Sequence, residues 1–328
     1  MKWIKSKSNN PYFNLALEEY LLKHKYKSED ILYFWINEPT VVIGRNQNAM
    51  EEINKEYTDK EGINIVRRMS GGGAVFHDFG NLNYTFITSS SDDCLNNYKK
   101  FTDPVIRALN KMGILAEFSG RNDIVVDGKK ISGNAQYYYK DRMFHHGTLL
   151  YNANLLAVKD ALNVKQNKLI SKGVKSVAAR VTNISNYVTK DMDTKEFRDV
   201  LLDLMTNDGS EEVILNEFDI NEIEKLSNQK YSSWDWIYGV TPKFDVNNTK
   251  RFSGGEVQIL YSVKNGKFYN VKIYGDFLSS KNTDEIISKI IGSKYDKKTI
   301  EKIMDDVEYD KFFPLIKKDE LMELMFNI

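Results

Sequence analysis

The chain has 328 residues, 41% of them hydrophobic and 12% aromatic, and Lys+Arg and Asp+Glu both number 46, so its formal net charge is zero. That length suits one large domain, or a large one with a small companion, and the lack of a basic excess argues against a general binder of nucleic acid or anionic membrane. No apolar run of roughly 18 residues occurs, the start Met1-Lys2-Trp3-Ile4-Lys5-Ser6 is not a signal peptide, and the single cysteine, Cys94, rules out an internal disulfide framework and a Cys-based zinc site.

The four histidines, His24, His77, His145 and His146, show no HExxH spacing, and the expectation is a soluble cytoplasmic protein. Residues 12–25 read as an amphipathic helix after Pro11. Ile31 to Ile36 and Thr40 to Gly44 read as strands broken by Glu38-Pro39, and Gly44-Arg45-Asn46-Gln47-Asn48 leads into a polar helix.

Next comes Val66-Arg67-Arg68-Met69-Ser70-Gly71-Gly72-Gly73-Ala74-Val75-Phe76-His77-Asp78, with β-rich sequence on both sides. Three consecutive glycines are locally costly inside sheet, since glycine gives up the most backbone freedom and packs no side chain. Positive φ or close backbone approach to a ligand explains the cost, and successive N–H groups exposed in this way cradle a phosphate. The bland alternative is a glycine-rich hairpin with a solvated arginine pair. Side chains alternate along a strand, so Arg67 and Arg68 face opposite sides and only one serves the loop.

Residues 94–112 read as helical, with Pro104 starting a second helix. Asp123 to Val126 and Lys130 to Ser132 pair around Asp127-Gly128, a strong hairpin signal. Gly128 to Ala135 is a near miss for a P-loop, rejected because no Lys-Ser/Thr follows Gly133. Met143 to Tyr151 reads as another strand, and residues 154–162, 194–206 and 210–229 as mostly helical. Short strands interleaved with helices, without a steady βαβ rhythm, predict an α+β fold, a mixed sheet flanked by helices. Val240 to Asn248 has linker chemistry and separates a large domain, 1–245, from a small α+β one, 246–328. In the latter, strands Val257 to Val263 and Lys267 to Tyr274 flank the type I′ signal Asn265-Gly266, and helices near 283–291, 297–305 and 318–326 follow.

Three polar stretches converge as a candidate site for an anionic, adenine-bearing ligand: Arg68 with the glycine loop, Asp123 with Lys130, and His146 with Thr148. Together with their order and spacing they carry a resemblance. Arg67 to Asn81, Gly120-Arg121-Asn122-Asp123, Lys130 to Ala135, His145-His146-Gly147-Thr148-Leu149-Leu150 and Ser176 to Asn183 make the sequence, along nearly its whole length, similar to the lipoate–protein ligases. The resemblance implies the fold shared with biotin protein ligases and class II tRNA synthetases, plus the C-terminal accessory domain of longer ligases.

It also implies a reaction. Lipoate and ATP, with Mg²⁺ carried by the phosphates and no metal ligands assigned, give lipoyl-adenylate and pyrophosphate; the lipoyl group then passes to a lysine of an acceptor. The implied acceptors are lipoyl-domain proteins, the 2-oxoacid dehydrogenase E2 subunits and the glycine-cleavage H protein, with no nucleic acid or membrane partner. Arg68, Gly73, Ala74, Val75, Phe76, Asp123, His146 and Thr148 match or join the nucleotide site. Lys130 matches the catalytic lysine that touches both acyl carbonyl and phosphate. Trp35, Arg45, Ser70, Gly71 and His77 fall in the lipoate pocket. Ala178-Ala179 depart from the polar residues that a relative carries ahead of Arg180.

Two readings compete with the ligase. An octanoyl or lipoyl transferase of the same superfamily would need Cys94 as an acyl-carrying thiol. A non-enzymatic lipoate-binding accessory protein is argued against by the intact Lys130.

Overall fold

The continuous apolar run Ile31-Leu32-Tyr33-Phe34-Trp35-Ile36 is that of a strand buried on both faces. In the computed structural model, which describes residues 1–162, 180–206, 209–238 and 245–326, this strand (β2) lies inside an eight-stranded sheet ordered β11-β1-β2-β6-β10-β9-β8-β7. The others are β1 (Lys2–Lys5), β6 (Asn81–Ser89), β7 (Ala116–Ser119), β8 (Asp123–Val126), β9 (Lys129–Tyr139), β10 (Arg142–Leu150) and β11 (Glu211–Glu212). β1 runs parallel to β2 and β11, and the remaining pairings are antiparallel.

Leu32, Phe34 and Ile36 pack on one side with Val105 and Leu109 of the helix Tyr98–Lys111 and Phe197 and Leu201 of the helix Thr194–Met205. Ile31, Tyr33 and Trp35 pack on the other with Leu17 and Leu21 of the helix Pro11–Lys23 and Ile223 of the helix Glu217–Leu226. Asn10 caps the Pro11–Lys23 helix by accepting from the N–H groups of Tyr12 and Phe13, with Pro11 at its first turn. Pro104 lies within the helix Tyr98–Lys111 and starts no second one. The buried stripe Phe101, Val105, Ala108 and Leu109 packs on the sheet and outweighs the one lost bond.

A small sheet ordered β4-β3-β5 carries the glycine loop: β3 is Thr40–Ile43, β4 Asn64–Arg67 and β5 Val75–His77. β4 is parallel to β3 and β5 antiparallel to it. The loop therefore crosses over β3 instead of turning back on its own strand, and the hairpin alternative is gone. Glu211–Glu212, read as helical, forms the edge strand β11 and the helix begins only at Glu217.

The third sheet, β12 (Val246–Phe252), β13 (Gly255–Lys264) and β14 (Lys267–Gly275), builds its own core from Val257, Ile259, Phe268, Ile286, Phe313 and Met322. Val246 to Asn248, read as linker, are the first residues of β12; residues 240–244 lie outside the described residues. The predicted hairpin at Asp127-Gly128 and the predicted type I′ turn at Asn265-Gly266 both have positive φ at both central positions: 50° and 70° at Asp127 and Gly128, 52° and 70° at Asn265 and Gly266. The third sheet docks by backbone bonds, Gly72 N–H to Phe277 O (3.0 Å), Gly275 N–H to Asn46 O (2.6 Å) and Tyr138 N–H to Ser280 O (3.1 Å).

Candidate active site

Register places one residue from each of five successive strands in a row. Trp35 on β2 pairs Asn83 on β6, Asn83 pairs Thr148 on β10, Gly133 on β9 donates its N–H to Thr148 Oγ1 (3.2 Å), and Gly133 pairs Asp123 on β8. Paired residues share a face, so the row is a floor, about 19 Å long at the usual strand spacing. All five line one cavity of about 320 Å³. Gly133 keeps the floor open: a Cβ there would stand 3.0 Å from Lys130 Nζ.

The two ends of the trough differ in chemistry. Leu15, Trp35, Val42, Val75 and His77 wall one end, and Arg121, Asp123, Lys130, Arg251 and Asp276 the other. Lys130 Nζ lies 2.7 Å from Asp123 Oδ1, both side chains 37% exposed, so the pair is anchored yet reachable. A register shift in the β8–β9 pairing puts an extra residue opposite Ile124 and Val125; a bulge of this kind re-aims a side chain. Here Lys130 lines the trough while Ile131 joins the core beneath. Arg121 donates to Gly254 O (2.6 Å) and Arg251 pairs Asp276 (3.3 Å), so the third sheet supplies part of the polar wall.

The two arginines of the glycine loop do different work. Arg67 donates to the carbonyls of Gly44, Arg45, Gln47, Trp236 and Ile237. Arg68 lines the trough, but Nε donates to Ser70 Oγ (3.0 Å), Nη1 to Val42 O (3.2 Å), and Nη2 to Gly71 O and Gly73 O (both 2.8 Å). It holds the loop in shape from within. Burial pushes both guanidiniums down to about 10, and the Glu18 carboxylate works against that shift at Arg68.

Glu18 is 1% exposed, and two chains of donors end on it. Trp35 Nε1–H donates to Thr85 Oγ1 (3.1 Å), which donates to Glu18 Oε1 (2.8 Å). The Glu18 carboxylate only accepts, so His146 Nδ1–H donates to the same Glu18 oxygen (2.9 Å), and in the neutral ring Nε2 accepts from Ser70 Oγ–H (2.7 Å), which also takes a bond from Arg68. Ser70, His146 and Glu18 thus have the order of an acyl-transfer triad. Ser70 is fully buried and does not line the trough, so it presents no nucleophile to a substrate.

Of the residues singled out from sequence, Trp35, Arg68, Gly73, Ala74, Val75, His77, Asp123, Lys130, His146 and Thr148 line the trough. Arg45, Ser70, Gly71 and Phe76 do not. Arg45 stacks 4.4 Å from the Trp236 ring and pairs Asp284 (2.8 Å), which fastens it to the third sheet's side. Gly71 lies so close to Phe277 O and Ser279 N that a Cβ would come within 2.7 and 2.8 Å of them. Phe76 packs in a separate apolar cluster with Val41 and Ile53. Residues 176–179 of the last matching stretch lie outside the described residues. Arg121 and Asn134 lie in the matching stretches but carried no assigned role, and Arg251, Asp276 and Leu278 were missed, because no local pattern ties residues 251–278 to the loop they cover.

Cys94 is 2% exposed, packed on Phe101 and Met143 with Lys100 Nζ 3.2 Å from its sulfur, and does not line the trough. Among the described residues no helix is long and apolar enough to cross a membrane.

Comparison with known proteins agrees along the whole chain. The lipoyl protein ligase A/B catalytic domain matches residues 10–206 and the bacterial lipoate protein ligase C-terminus residues 241–325. Lipoate-protein ligase LplJ of Bacillus subtilis is 45% identical over 322 residues, 97% of each chain. Among solved structures, LipL1 of P. falciparum in complex with lipoate superposes with a TM-score of 0.81 at 28% identity, covering 99% of this chain and 98% of that one. A bipartite lipoate protein ligase of Thermoplasma acidophilum, described with its E2 lipoyl domain, covers 75% of this chain and 98% of its own with a TM-score of 0.64 at 28% identity. A lipoate-protein ligase A bound with ATP covers 73% and 99%, with a TM-score of 0.63 at 26% identity.

Proposed function

The chain belongs to the lipoate–protein ligase family, and from that premise we infer how its trough performs the reaction. The protein joins free lipoate to ATP as lipoyl-adenylate, releases pyrophosphate, and transfers the lipoyl group to protein. The observation that carries the assignment of parts is the polarised trough: an apolar end at Trp35 for the acyl tail and a cationic end at Lys130 for the phosphate.

The lipoate carboxylate attacks the α-phosphorus, an oxygen–phosphorus bond forms as pyrophosphate leaves, and negative charge builds on the phosphate oxygens. Lys130 stands at that end, held by Asp123, and stabilises the charge. Arg121 and Arg251 line the same end and are the further cations available to the departing pyrophosphate. Arg68 fixes the shape of the Gly71–Gly73 loop and so positions its N–H groups. Asp123 and Asp276 are hard oxygen donors suited to Mg²⁺, which would arrive with the phosphates and offset their charge. In the second step the acceptor lysine's amine attacks the acyl carbonyl of the mixed anhydride and AMP leaves. No thiol is needed, in keeping with Cys94 lying off the trough.

The acceptors are lipoyl-domain proteins, in line with the T. acidophilum ligase and its E2 lipoyl domain. E2 subunits and the glycine-cleavage H protein as specific acceptors, a cytoplasmic location, and a catalytic domain ending at 245 with the accessory domain from 246 belong to this proposal. Its test is pyrophosphate release with lipoate and ATP, followed by lipoylation of an apo acceptor. Lys130→Ala is expected to slow both half-reactions by about 10²-fold or more. Near wild-type rates in both would remove Lys130 from the central role.

A further inference from the structure

Glu18 is a buried anion that touches no substrate, and its partners lead to the loop that does. Leu15 of the helix Pro11–Lys23 walls the trough, and Glu18, three residues on, shares that helical face. A buried carboxylate is costly unless protons answer it, and among the described residues Glu18 pairs with no lysine or arginine. Thr85 on β6 and His146 on β10 are register partners, so both side chains reach the same side of the sheet. One carboxylate oxygen, Oε1, therefore takes both Thr85 Oγ1–H (2.8 Å) and His146 Nδ1–H (2.9 Å). Behind His146 stand Ser70, 2.7 Å from Nε2, and Arg68, whose Nε–H reaches Ser70 Oγ at 3.0 Å. The arm thus ends at a buried guanidinium whose Nη2 holds the carbonyls of Gly71 and Gly73. Glu18 meets its counterion through two residues.

The arm works with one tautomer of His146. With the ring proton on Nε2, Ser70 Oγ would face two donors, Arg68 and His146. Ser70 is fully buried, and among the described residues its hydroxyl proton would then have no acceptor. Resting on the function proposed above, we infer that Glu18 is a positioning residue for adenylation. By holding the His146 proton on Nδ1 it orders Ser70 and Arg68, and so sets the glycine loop that receives the phosphates. Its charge acts in the same sense, opposing the burial that pulls the Arg68 guanidinium down. The order Ser70, His146, Glu18 is that of a nucleophile relay put to a different use: the serine braces an arginine and attacks nothing.

The test measures pyrophosphate release from lipoate and ATP, and transfer from supplied lipoyl-adenylate, as separate reactions. Glu18→Ala is expected to slow adenylation about 10²-fold, the scale on which a misplaced constellation loses rate, and transfer by less than about tenfold. Glu18→Gln can turn its amide oxygen to the same two protons, and should keep adenylation within about tenfold of wild type. Equal loss of both half-reactions in Glu18→Ala, adenylation by it at the wild-type rate, or equal adenylation by the two variants overturns the inference. Nitrogen-15 NMR of the histidines adds a signature that a packing role alone would not move. His146 should carry its proton on Nδ1 in wild type and in Glu18→Gln, and shift towards Nε2 in Glu18→Ala. A proton on Nε2 in wild type overturns the inference without any variant having to fold, and so does an unchanged tautomer in Glu18→Ala. A wild type that releases no pyrophosphate would instead sink the ligase function, while the tautomer still reports on the chain of protons.

Discussion

Arg67 and Arg68 are neighbours in sequence and opposites in use. The strand alternation that separates them was legible; which carbonyls each would meet was not, because those partners come from residues as distant as Trp236 and Ile237. The geometry gives both of them a bracing role. A lysine has three donors on a mobile head and cannot answer the carbonyls fixed around a rigid fork. Arg67→Lys is therefore expected to lower the unfolding free energy by roughly 2–4 kcal/mol while leaving the ATP requirement within a few-fold. Arg68→Lys should lower stability and slow adenylation together, since the Gly71 and Gly73 carbonyls lose their anchor. Urea unfolding beside pyrophosphate release measures both, and a wild-type unfolding midpoint for Arg67→Lys would refute the bracing role. Glu18 escaped notice for the same reason as Arg67's partners. It sits in an apolar helix where a carboxylate looks like a solvated face, and its contacts Thr85 and His146 lie 67 and 128 residues away.

At the level of elements, the readable features were those with a local cause. Asp127-Gly128 and Asn265-Gly266 announced their hairpins because both central positions need positive φ. The continuous apolar run of β2 announced a buried strand. β1, β7 and β11 were missed: they are short, at or near the sheet's edges, and marked by no turn chemistry. The glycine run was read as a cradle for a ligand, and the structure divides its glycines between tasks. Gly71 leaves room for Phe277 and Ser279 of the third sheet's flank, not for the trough. Gly71→Ala is thus expected to push that flank off the loop, lowering adenylation severalfold while transfer from supplied lipoyl-adenylate survives. Measuring the half-reactions separately decides it, and equal loss of both would show that Gly71 serves the ligand directly.

Across the whole molecule, every residue of the floor lies between Trp35 and Thr148, and the third sheet adds only wall and roof: Arg251, Asp276 and Leu278. Forming the adenylate requires water to be shut out and a triphosphate to be aligned, whereas spending it requires an acceptor lysine to enter. A chain ending at Asp245 is therefore expected to transfer lipoate from supplied lipoyl-adenylate yet make that adenylate poorly from ATP. Loss of both activities in parallel on a folded truncation would reduce residues 246–328 to a stabiliser. The seam between the two parts has a further property. Three of its bonds run from backbone to backbone, at Gly72, Gly275 and Tyr138, and a backbone bond does not depend on which chain supplies its partner. Continuity of the polypeptide between residues 238 and 245 raises the local concentration of one part at the other. Two separately encoded polypeptides, divided within that stretch, should find each other and restore adenylation as one enzyme, at protein concentrations high enough to replace the tether.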